Sequence, residues 1–439
     1  MDLRSTALLS AAVYRPGNST LPGASRADRG TDAPVDGDYP AIRTVGGTPW
    51  SGLNRERKRN MLIKNGTVFT GNSFVKGTTV RLQNGIVAEV GEKAGEDIGE
   101  ARIDLDGDFL LPGFVDVHIH AFRGNDTMRG EAEVRRMSRE LAKAGTGAFC
   151  PTTMSASETE TGEALAGIRA VMDRPERNGA RVLGAHMEAP YLSEHRAGAQ
   201  MKQYFADPDW DGLKRMAGSL SVVRLITMAP ERNGSEIFIR RAVEAGIRVS
   251  LGHTDANAAQ VHEAGDWGAD HITHTFNAQT PIHHREPGVP GAALTDDRFY
   301  CEMICDGKHL HDDIVRLLIR CKSASRAIAI TDAMEAAGMP DGEYSLGGQK
   351  VYVREGAARL DDGTLAGSVL TMPQALYNLI HRYGADPVSA CQMCISTPAE
   401  SIGENVAGHM VPGCPGVMTR WTPDWQMKSV ITENGEVAN

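Results

Sequence analysis

Short apolar runs alternate with amphipathic helical patterns between residues 113 and 332. The helical patterns, such as those at residues 131–144, 235–246 and 312–322, space their apolar residues three and four apart. Alternating strands and helices favour a parallel sheet, and eight strands over 220 residues suffice to close such a sheet into a barrel. The eight runs are residues 113–120, 147–152, 182–188, 222–228, 248–253, 271–274, 300–305 and 327–332. We therefore predict an α/β fold with a (β/α)8 TIM-like barrel.

The segments on either side of the barrel pattern have a different character. Short β-rich runs separated by glycine turns fill residues 61–110, and strands and turns return at the carboxyl end. We predict a small β-sandwich domain built from both chain ends, residues 61–110 and 401–439, around a barrel at residues 111–400. Residues 1–60 carry five prolines and no apolar period, so we expect a disordered extension. The apolar stretch at residues 6–13 is too short for a secretory signal and lacks a convincing cleavage site.

The charge and cysteine content exclude several classes of partner. Forty-six basic residues against 56 acidic ones give a formal charge of −10, so no basic field attracts nucleic acid or anionic lipid. No apolar run approaches the roughly 20 residues that cross a bilayer, so we expect no membrane partner. Seven sparse cysteines favour reduced thiols and a cytoplasmic protein. The C-x-x-C pair Cys391 and Cys394 has no matching second pair, and we expect buried structural thiols there.

Side chains that bind metals stand at the ends of five of the predicted strands. Because the carboxyl ends of barrel strands face one mouth, these side chains should converge. Taken singly, each has a plainer interpretation, such as a hydrogen-bonded histidine or a helix cap at Asp332. Together, imidazoles and carboxylates suit a divalent ion such as zinc or ferrous iron, and we predict a metal site. We interpret the other histidines, His186 and His195 among them, as structural or surface residues. The predicted ligands are His118, His120, Glu188, His253, His274 and Asp332.

A series of motifs from residue 61 to residue 437 resembles, in order and spacing, the N-acetylglucosamine-6-phosphate deacetylase family of the amidohydrolase superfamily. The opening PGFVDVHIH is shared across the superfamily, whereas HMEAP and the pairing of NAQ with REPG are more specific to the sugar-phosphate deacetylases. The motifs are PGFVDVHIH (112–120), HMEAPYLS (186–193), GHTDA (252–256), THTFNA (273–278), HREPG (284–288), DGKH (306–309), TDA (331–333) and LAGSVLTM (365–372).

The resemblance implies hydrolysis of N-acetylglucosamine 6-phosphate to glucosamine 6-phosphate and acetate. It implies that Glu188, His253 and His274 hold one divalent ion, zinc or iron. His118 and His120 occupy the positions where some members place a second ion, so one or two ions per subunit are expected. Asp332 matches the general acid and base of the family, which takes a proton from water and returns it to the leaving amine.

The resemblance also implies how the phosphate is bound. Arg285 offers a fork of donors, and Asn277 and the backbone N–H of Ala278 add two more. Without the flanking motif, a surface ion pair between Arg285 and Glu286 would be the plainer interpretation. His309 matches a family histidine that reaches the phosphate of the neighbouring subunit's substrate, so the resemblance implies a homodimer.

Two departures from the family pattern bear on which sugar is bound. Ala189 stands where the family has glycine, which adds a methyl group at the barrel mouth. Gln200 stands where many members have a histidine that contacts the substrate, and glutamine hydrogen-bonds but carries no proton charge. The preference between glucosamine and galactosamine epimers therefore stays open. We expect Met372 to cover the sugar, with a buried methionine at a helix start as the alternative.

Two other functions remain open. One alternative is that the chain is another amidohydrolase, such as an N-acetylgalactosamine-6-phosphate deacetylase or an N-acyl-amino-acid hydrolase. Cyclic amidases of the superfamily use a carboxylated lysine as bridging ligand, and the third strand here ends in Glu188 instead. A non-catalytic sugar-phosphate sensor would keep the pocket without turnover, but the intact Asp332 and ligand set disfavour it.

Overall fold

The computed structural model describes residues 60–92 and 101–438. The expected extension at residues 1–60 lies outside these residues except for Asn60, and so does the apolar stretch at residues 6–13. In the described part of the chain, no helix combines the length and the apolar composition needed to cross a bilayer.

Eight parallel strands, β1 to β8, form the barrel in chain order, each hydrogen-bonded to the next. The ring closes where Ile119 pairs with Ala333 and the Asp332 N–H donates to the His118 carbonyl at 2.9 Å. β1, β2 and β8 are buried along their whole length, as expected of parallel strands covered on both faces. The strands are Phe114–Ile119, Thr146–Thr153, Ala185–Met187, Val223–Met228, Arg248–Leu251, His271–Ile272, Tyr300–Ile304 and Ala327–Ile330.

One helix, α1 to α8, follows each strand and covers the outside of the barrel. Sequence features define several helix starts; Ser157 and Glu160, for example, form a capping box at the start of α2. The helices are Glu131–Lys143, Glu158–Asp173, Trp210–Ala217, Ser235–Glu244, Ala258–Trp267, Gly288–Thr295, Asp312–Lys322 and Met372–His381. All eight predicted strands and the three predicted helices are present, so the barrel prediction is confirmed.

Shorter elements complete the barrel. Cys391 and Cys394 are free and buried in the helical segments after α8, which confirms their interpretation as structural thiols. The remaining helical segments are Thr127–Arg129, Glu194–Arg196, Lys202–Tyr204, Leu220–Val222, Pro387–Cys391, Gln392–Ser396 and Thr397–Ser401, and the short strands are Ala121–Phe122, Asn125–Asp126 and Arg181–Val182.

A second sheet joins the two segments that flank the barrel in the sequence. Met418–Trp421 runs antiparallel to Phe109–Pro112. Asp108 accepts from Arg420 at 2.6 Å and from Lys428 at 2.7 Å. These pairings support our proposal that residues 61–110 and 401–439 form one β domain around a barrel at residues 111–400. The strands, in sheet order, are Gly435–Ala438, Met427–Thr432, Met418–Trp421, Phe109–Pro112, Asn60–Phe69, Phe74–Gln83 and Ile86–Gly91, with Ala101–Asp104 also beside Asn60–Phe69.

A three-stranded antiparallel sheet lies between β8 and α8, and we call it the insert sheet. It consists of Gly342–Leu346, Gln349–Arg354 and Ala357–Arg359. The Gln349 side chain donates to the Ala199 carbonyl at 2.6 Å, which ties the insert sheet to the loop after β3. The sequence pattern did not predict this sheet. It places apolar side chains beside the barrel mouth.

Candidate active site

The predicted ligands stand at the carboxyl ends of the barrel strands. His118 lies near the end of β1 and Glu188 directly after β3. His253, His274 and Asp332 each come two residues after their strands and have positive φ angles of 46°, 28° and 49°. Left-handed backbone is uncommon for non-glycine residues and costs about 1–3 kcal/mol when the surroundings impose it. The fold thus holds these three residues in strained conformations that turn their side chains into the mouth.

Glu188, His253 and His274 form one buried group of three. Oε1 of Glu188 lies 3.0 Å from Nε2 of His274 and 3.3 Å from Nε2 of His253. The two imidazole Nε2 atoms are 3.1 Å apart. Three donor atoms from β3, β5 and β6 therefore converge on one point, as the sequence predicts.

His118, His120 and Asp332 form a second group beside the first. Oδ1 of Asp332 lies 3.1 Å from Nε2 of His120 and 3.5 Å from Nε2 of His118. Glu188 belongs to both groups, because its Oε1 is 3.3 Å from His118 Nε2 and its Oε2 is 3.2 Å from His120 Nε2. One carboxylate thus faces two adjacent clusters of ligand atoms.

The hydrogen bonds on the far side of the rings orient the imidazoles. His253 Nδ1 lies 2.9 Å from the Arg196 carbonyl, and His120 Nδ1 lies 3.3 Å from the Thr152 carbonyl. A carbonyl only accepts, so in the neutral ring each Nδ1 carries the proton and each Nε2 presents a lone pair. These lone pairs point into the cluster.

The donor set fits a divalent cation. Ligands bound tetrahedrally at 2.0–2.1 Å are about 3.3 Å from one another. The donor atoms of the first group are separated by 3.0–3.3 Å, and Asp332 Oδ1 lies 3.1 and 3.5 Å from the two histidines of the second. His118 Nε2 is buried and makes no hydrogen bond within the described residues. Lone pairs and carboxylate oxygens packed together in this way need a positive charge among them, which either protonated imidazoles or a bound divalent cation supplies.

The carboxylates in the cluster are held in their charged form. Burial by itself raises the pKa of Glu188, but the facing His118 and its neighbouring histidines outweigh burial and hold the pKa well below the usual range. The same balance between burial and the facing His118 and His120 lowers the pKa of Asp332. Both acids are therefore available as ligand or base at neutral pH.

A pocket of about 340 Å³ opens above the two groups. His309 lies on its wall, with Nδ1 2.7 Å from Asp306 Oδ2. The groups form the floor, polar side chains form the walls, and an apolar edge comes partly from the insert sheet. The lining residues are His120, Met154, Glu188, His195, Arg196, Gly198, Ala199, Gln200, His253, His274, Asn277, Ala278, His309, Asp332, Leu346, Thr364, Leu365 and Gly367.

The structure brings some of the predicted substrate-binding residues to this pocket. Asn277, Ala278 and Gln200 line it. Arg285 does not line it and stands on an exposed loop, with Nη1 2.7 Å from His284 Nε2. No surface ion pair of Arg285 with Glu286 is found in the described residues.

Two predicted residues lie elsewhere than the sequence analysis places them. The resemblance implies that His309 reaches the pocket of a neighbouring subunit; in the single chain its ring lines that chain's own pocket, with Nδ1 2.7 Å from Asp306 Oδ2, and the contact with a partner stays a prediction. Met372 was expected to cover the sugar. It is the first residue of α8, is 1% exposed and packs in the hydrophobic core, so the alternative of a buried helix-start methionine describes it.

Gln200 lies in the pocket wall but uses both ends of its amide within the protein. Its Oε1 accepts from the Ser155 N–H at 2.7 Å, and its Nε2 donates to Glu188 Oε2 at 2.6 Å. The side chain therefore orients the carboxylate of Glu188. Gln200 also lines the pocket, and its contact with the substrate stays a prediction.

Sequence reasoning missed several residues of the site. Glu302, in β7, contacts His118, and its one signal in the sequence is an acid inside the apolar run YCEMI. His195 lies at the pocket edge. Leu346 belongs to the insert sheet, whose polar and apolar residues do not predict a position beside the mouth. His186, by contrast, is buried below the site and hydrogen-bonded at both ring nitrogens, as a structural histidine should be.

Comparisons with known proteins agree with this geometry. A model of the amidohydrolase family matches residues 109–437, a range that includes every predicted ligand. The N-acetylglucosamine-6-phosphate deacetylase of Bacillus subtilis (strain 168) is 39% identical over 320 residues, which are 71% of this chain and 80% of that protein. The N-acetylgalactosamine-6-phosphate deacetylase of Escherichia coli O157:H7 is 35% identical over 339 residues, which are 76% of this chain and 88% of that protein.

A solved structure shows the same similarity. It is a mutant N-acetyl-D-glucosamine-6-phosphate deacetylase from Mycobacterium smegmatis in complex with N-acetyl-D-glucosamine-6-phosphate. It superposes with a TM-score of 0.78 at 30% identity, over 87% of this chain and 100% of that one.

Proposed function

The chain belongs to the amidohydrolase family, and we propose that its two ligand groups and the pocket above them hydrolyse the N-acetyl group of N-acetylglucosamine 6-phosphate. The products are glucosamine 6-phosphate and acetate. The observation that carries this function is the position of Glu188 between two histidine groups at the floor of a polar pocket.

Asp332 is the residue that moves protons. Its carboxylate lies at the floor of the pocket and its lowered pKa keeps it ionised at neutral pH. It accepts a proton from the attacking water as the C–O bond forms, and it returns that proton to the sugar nitrogen as the C–N bond breaks. The second transfer is needed because an amine anion is a very poor leaving group. A bound divalent ion supplies Lewis-acid polarisation of the acetyl carbonyl and makes the water more acidic.

The reaction is metal-dependent, as in the family, and we propose two divalent ions, zinc or ferrous iron, in each chain. Glu188, His253 and His274 would hold one ion, and His118, His120 and Asp332 would hold the other. Support comes from the chemistry of the donors, since imidazole and carboxylate are ligands that both metals accept. Two buried acids facing these positions also favour cations there.

The phosphate lies at the end of the pocket lined by Asn277, Ala278 and His309. Asn277 donates to the His274 carbonyl at 3.1 Å, which holds its amide near the site. The arginine in the pocket lining, Arg196, is engaged by Asp255 at 2.8 Å. A phosphate dianion is best held by charge-assisted donors, and an additional cation would complete this end.

We propose that the protein is a homodimer in which the exposed Arg285 supplies this cation to the pocket of the partner. Its loop, residues 281–287, is exposed in the single chain. His309 lines its own pocket, so the residue that reaches across is Arg285 and His309 stays with its own chain's substrate. We also place the protein in the cytoplasm, since all seven cysteines are free and a phosphorylated sugar is an intracellular kind of substrate.

The galactosamine epimer is a second candidate substrate. The similarity to the Escherichia coli O157:H7 enzyme and the alanine at position 189 favour testing it. The decisive experiment measures acetate release from N-acetylglucosamine 6-phosphate, its galactosamine epimer, unphosphorylated N-acetylglucosamine and an N-acetyl amino acid. We expect the highest kcat/KM for the first. Turnover of the N-acetyl amino acid alone would replace the sugar-phosphate assignment, and binding without any acetate release would indicate a sensor.

A further inference from the structure

A fully buried carboxylate, Glu302, lies beneath both ligand groups. It occupies the middle of β7, an otherwise apolar strand, and its side chain is 0% exposed. Its Oε2 lies 3.0 Å from Nδ1 of His118 and 3.0 Å from the backbone nitrogen of His274. His118 belongs to one group and His274 to the other. A single oxygen atom therefore contacts both halves of the site.

The contact with His118 determines how that imidazole faces the cluster. A carboxylate oxygen only accepts, so Nδ1 of His118 donates to it and, in the neutral ring, Nε2 keeps its lone pair. That Nε2 lies 3.3 Å from Glu188 Oε1 and 3.5 Å from Asp332 Oδ1. Loss of a hydrogen bond on the far side of a metal-binding histidine commonly weakens metal affinity about 10- to 100-fold.

The contact with His274 acts on the backbone. His274 has a φ angle of 28°, in the left-handed region that non-glycine residues rarely adopt. The hydrogen bond from its N–H to Glu302 holds the peptide in this orientation. The ring then reaches Glu188, with Nε2 3.0 Å from Oε1. Glu302 thus supports a strained turn on which one ligand depends.

The second oxygen of Glu302 lowers the folding stability of the protein. Oε1 is buried and has no hydrogen-bond partner within the described residues. Burying an acid without full compensation destabilises a fold, and an apolar residue would suit the core of β7 better. A role toward the neighbouring ligands accounts for an acid at this position.

We propose that Glu302 is a positioning residue for both ligand groups, which orients the His118 ring through its Nδ1 and fixes the His274 backbone through its N–H. This inference rests on the metal site of the proposed function. It extends that site to a residue that touches neither the ions nor the substrate. Its effect should appear in metal affinity before substrate binding.

The test measures zinc affinity and ions bound per chain by competition with a chromogenic chelator, on the full chain. Glu302→Leu removes both contacts, and Glu302→Gln keeps an oxygen that can accept from His118 and His274. We expect Glu302→Leu to weaken zinc binding about 10- to 100-fold and Glu302→Gln to restore most of it. Glu335→Gln is the matched control, a buried acid that accepts from Arg129 and Ser345 and touches no ligand.

Several results would overturn this role. Unchanged zinc affinity and stoichiometry in Glu302→Leu would overturn it. A lower melting temperature with unchanged zinc affinity would also overturn it, because that result indicates a purely structural acid. If Glu302→Leu does not fold, Glu302→Asp withdraws the carboxylate by one methylene group and is judged in the same way. His118→Ala separates the two proposals: if it loses zinc while Glu302→Leu does not, only the positioning role fails. A wild-type chain that binds no zinc or iron overturns the metal site itself.

Discussion

Oδ1 of Asp332 lies 3.1 Å from Nε2 of His120, at the floor of the pocket where β8 meets β1. The carboxylate therefore lies beside the histidines that we propose as ligands, and it lines the pocket in which we propose that it acts as general acid and base.

Asp332→Asn tests the proton transfer. Asparagine keeps the shape and an oxygen toward His120 but takes up no proton, so we expect kcat to fall about 100- to 10,000-fold. Steady-state acetate release gives kcat, and metal analysis checks that at least the ion held by Glu188, His253 and His274 remains. A kcat within a fewfold of wild type would remove Asp332 from the acid and base role.

Gln200→Leu tests the orientation of Glu188. Without the amide that donates at 2.6 Å, the shared carboxylate is less well placed, and we expect metal affinity to fall about 10-fold or more. The KM for the sugar phosphate, measured at saturating metal, should change little because both ends of the Gln200 amide are hydrogen-bonded within the protein. Gln203→Leu, a change on an exposed side chain of the same loop, is the control. A raised KM with unchanged metal affinity would indicate that Gln200 binds the substrate and does not position Glu188.

Arg285 is tested by mixing subunits. Arg285→Ala should raise KM for the phosphorylated substrate by about 10-fold or more, because a charge-assisted contact is worth about 1.5–3 kcal/mol. When Arg285→Ala and Asp332→Asn chains are co-expressed, a mixed dimer has one site with Asp332 and the partner's Arg285. Near-normal KM in purified mixed dimers supports the contact across the interface. If no site in the purified mixed dimers shows a near-normal KM, Arg285 acts in the pocket of its own chain.

Asp108→Asn tests the ion pairs that link the two segments of the second sheet. Burial alone raises the pKa of its carboxyl, but Lys428 and Arg420 outweigh burial and lower it. A lowered folded-state pKa contributes stability that is present above the unfolded value and is lost as pH falls through the folded one. Asp108→Asn should therefore lower the melting temperature at pH 7 and flatten its decline in acid. An equal loss at pH 7 and at pH 3 would contradict the ion pairs.

Much of this site could be predicted because the carboxyl ends of all the barrel strands lie at the same mouth. His253 and Asp332 each follow an apolar run, and the position of the run locates them. Glu302 could not be assigned in this way, since its role depends on contacts with His118 and His274 that only the closed barrel creates. An isolated acid in a strand has no periodic signal.

Other features of the structure could not be predicted from the sequence, for different reasons. The insert sheet consists of short strands with mixed polarity, which local pattern does not distinguish from a loop. Met372 ends the motif LAGSVLTM, but Thr371 caps a helix there and the methionine packs in the core. The inward position of His309 depends on its hydrogen bond to Asp306, three residues earlier in the same turn.

The most direct test of the account is acetate release from N-acetylglucosamine 6-phosphate as the metal is removed and returned. We predict that a chelator abolishes acetate release, that zinc or ferrous iron restores it, and that neither restores it in Glu188→Gln, which loses the carboxylate shared by both ligand groups. Metal-free protein that still turns over at the wild-type rate, or a Glu188→Gln variant with full activity, would contradict the account.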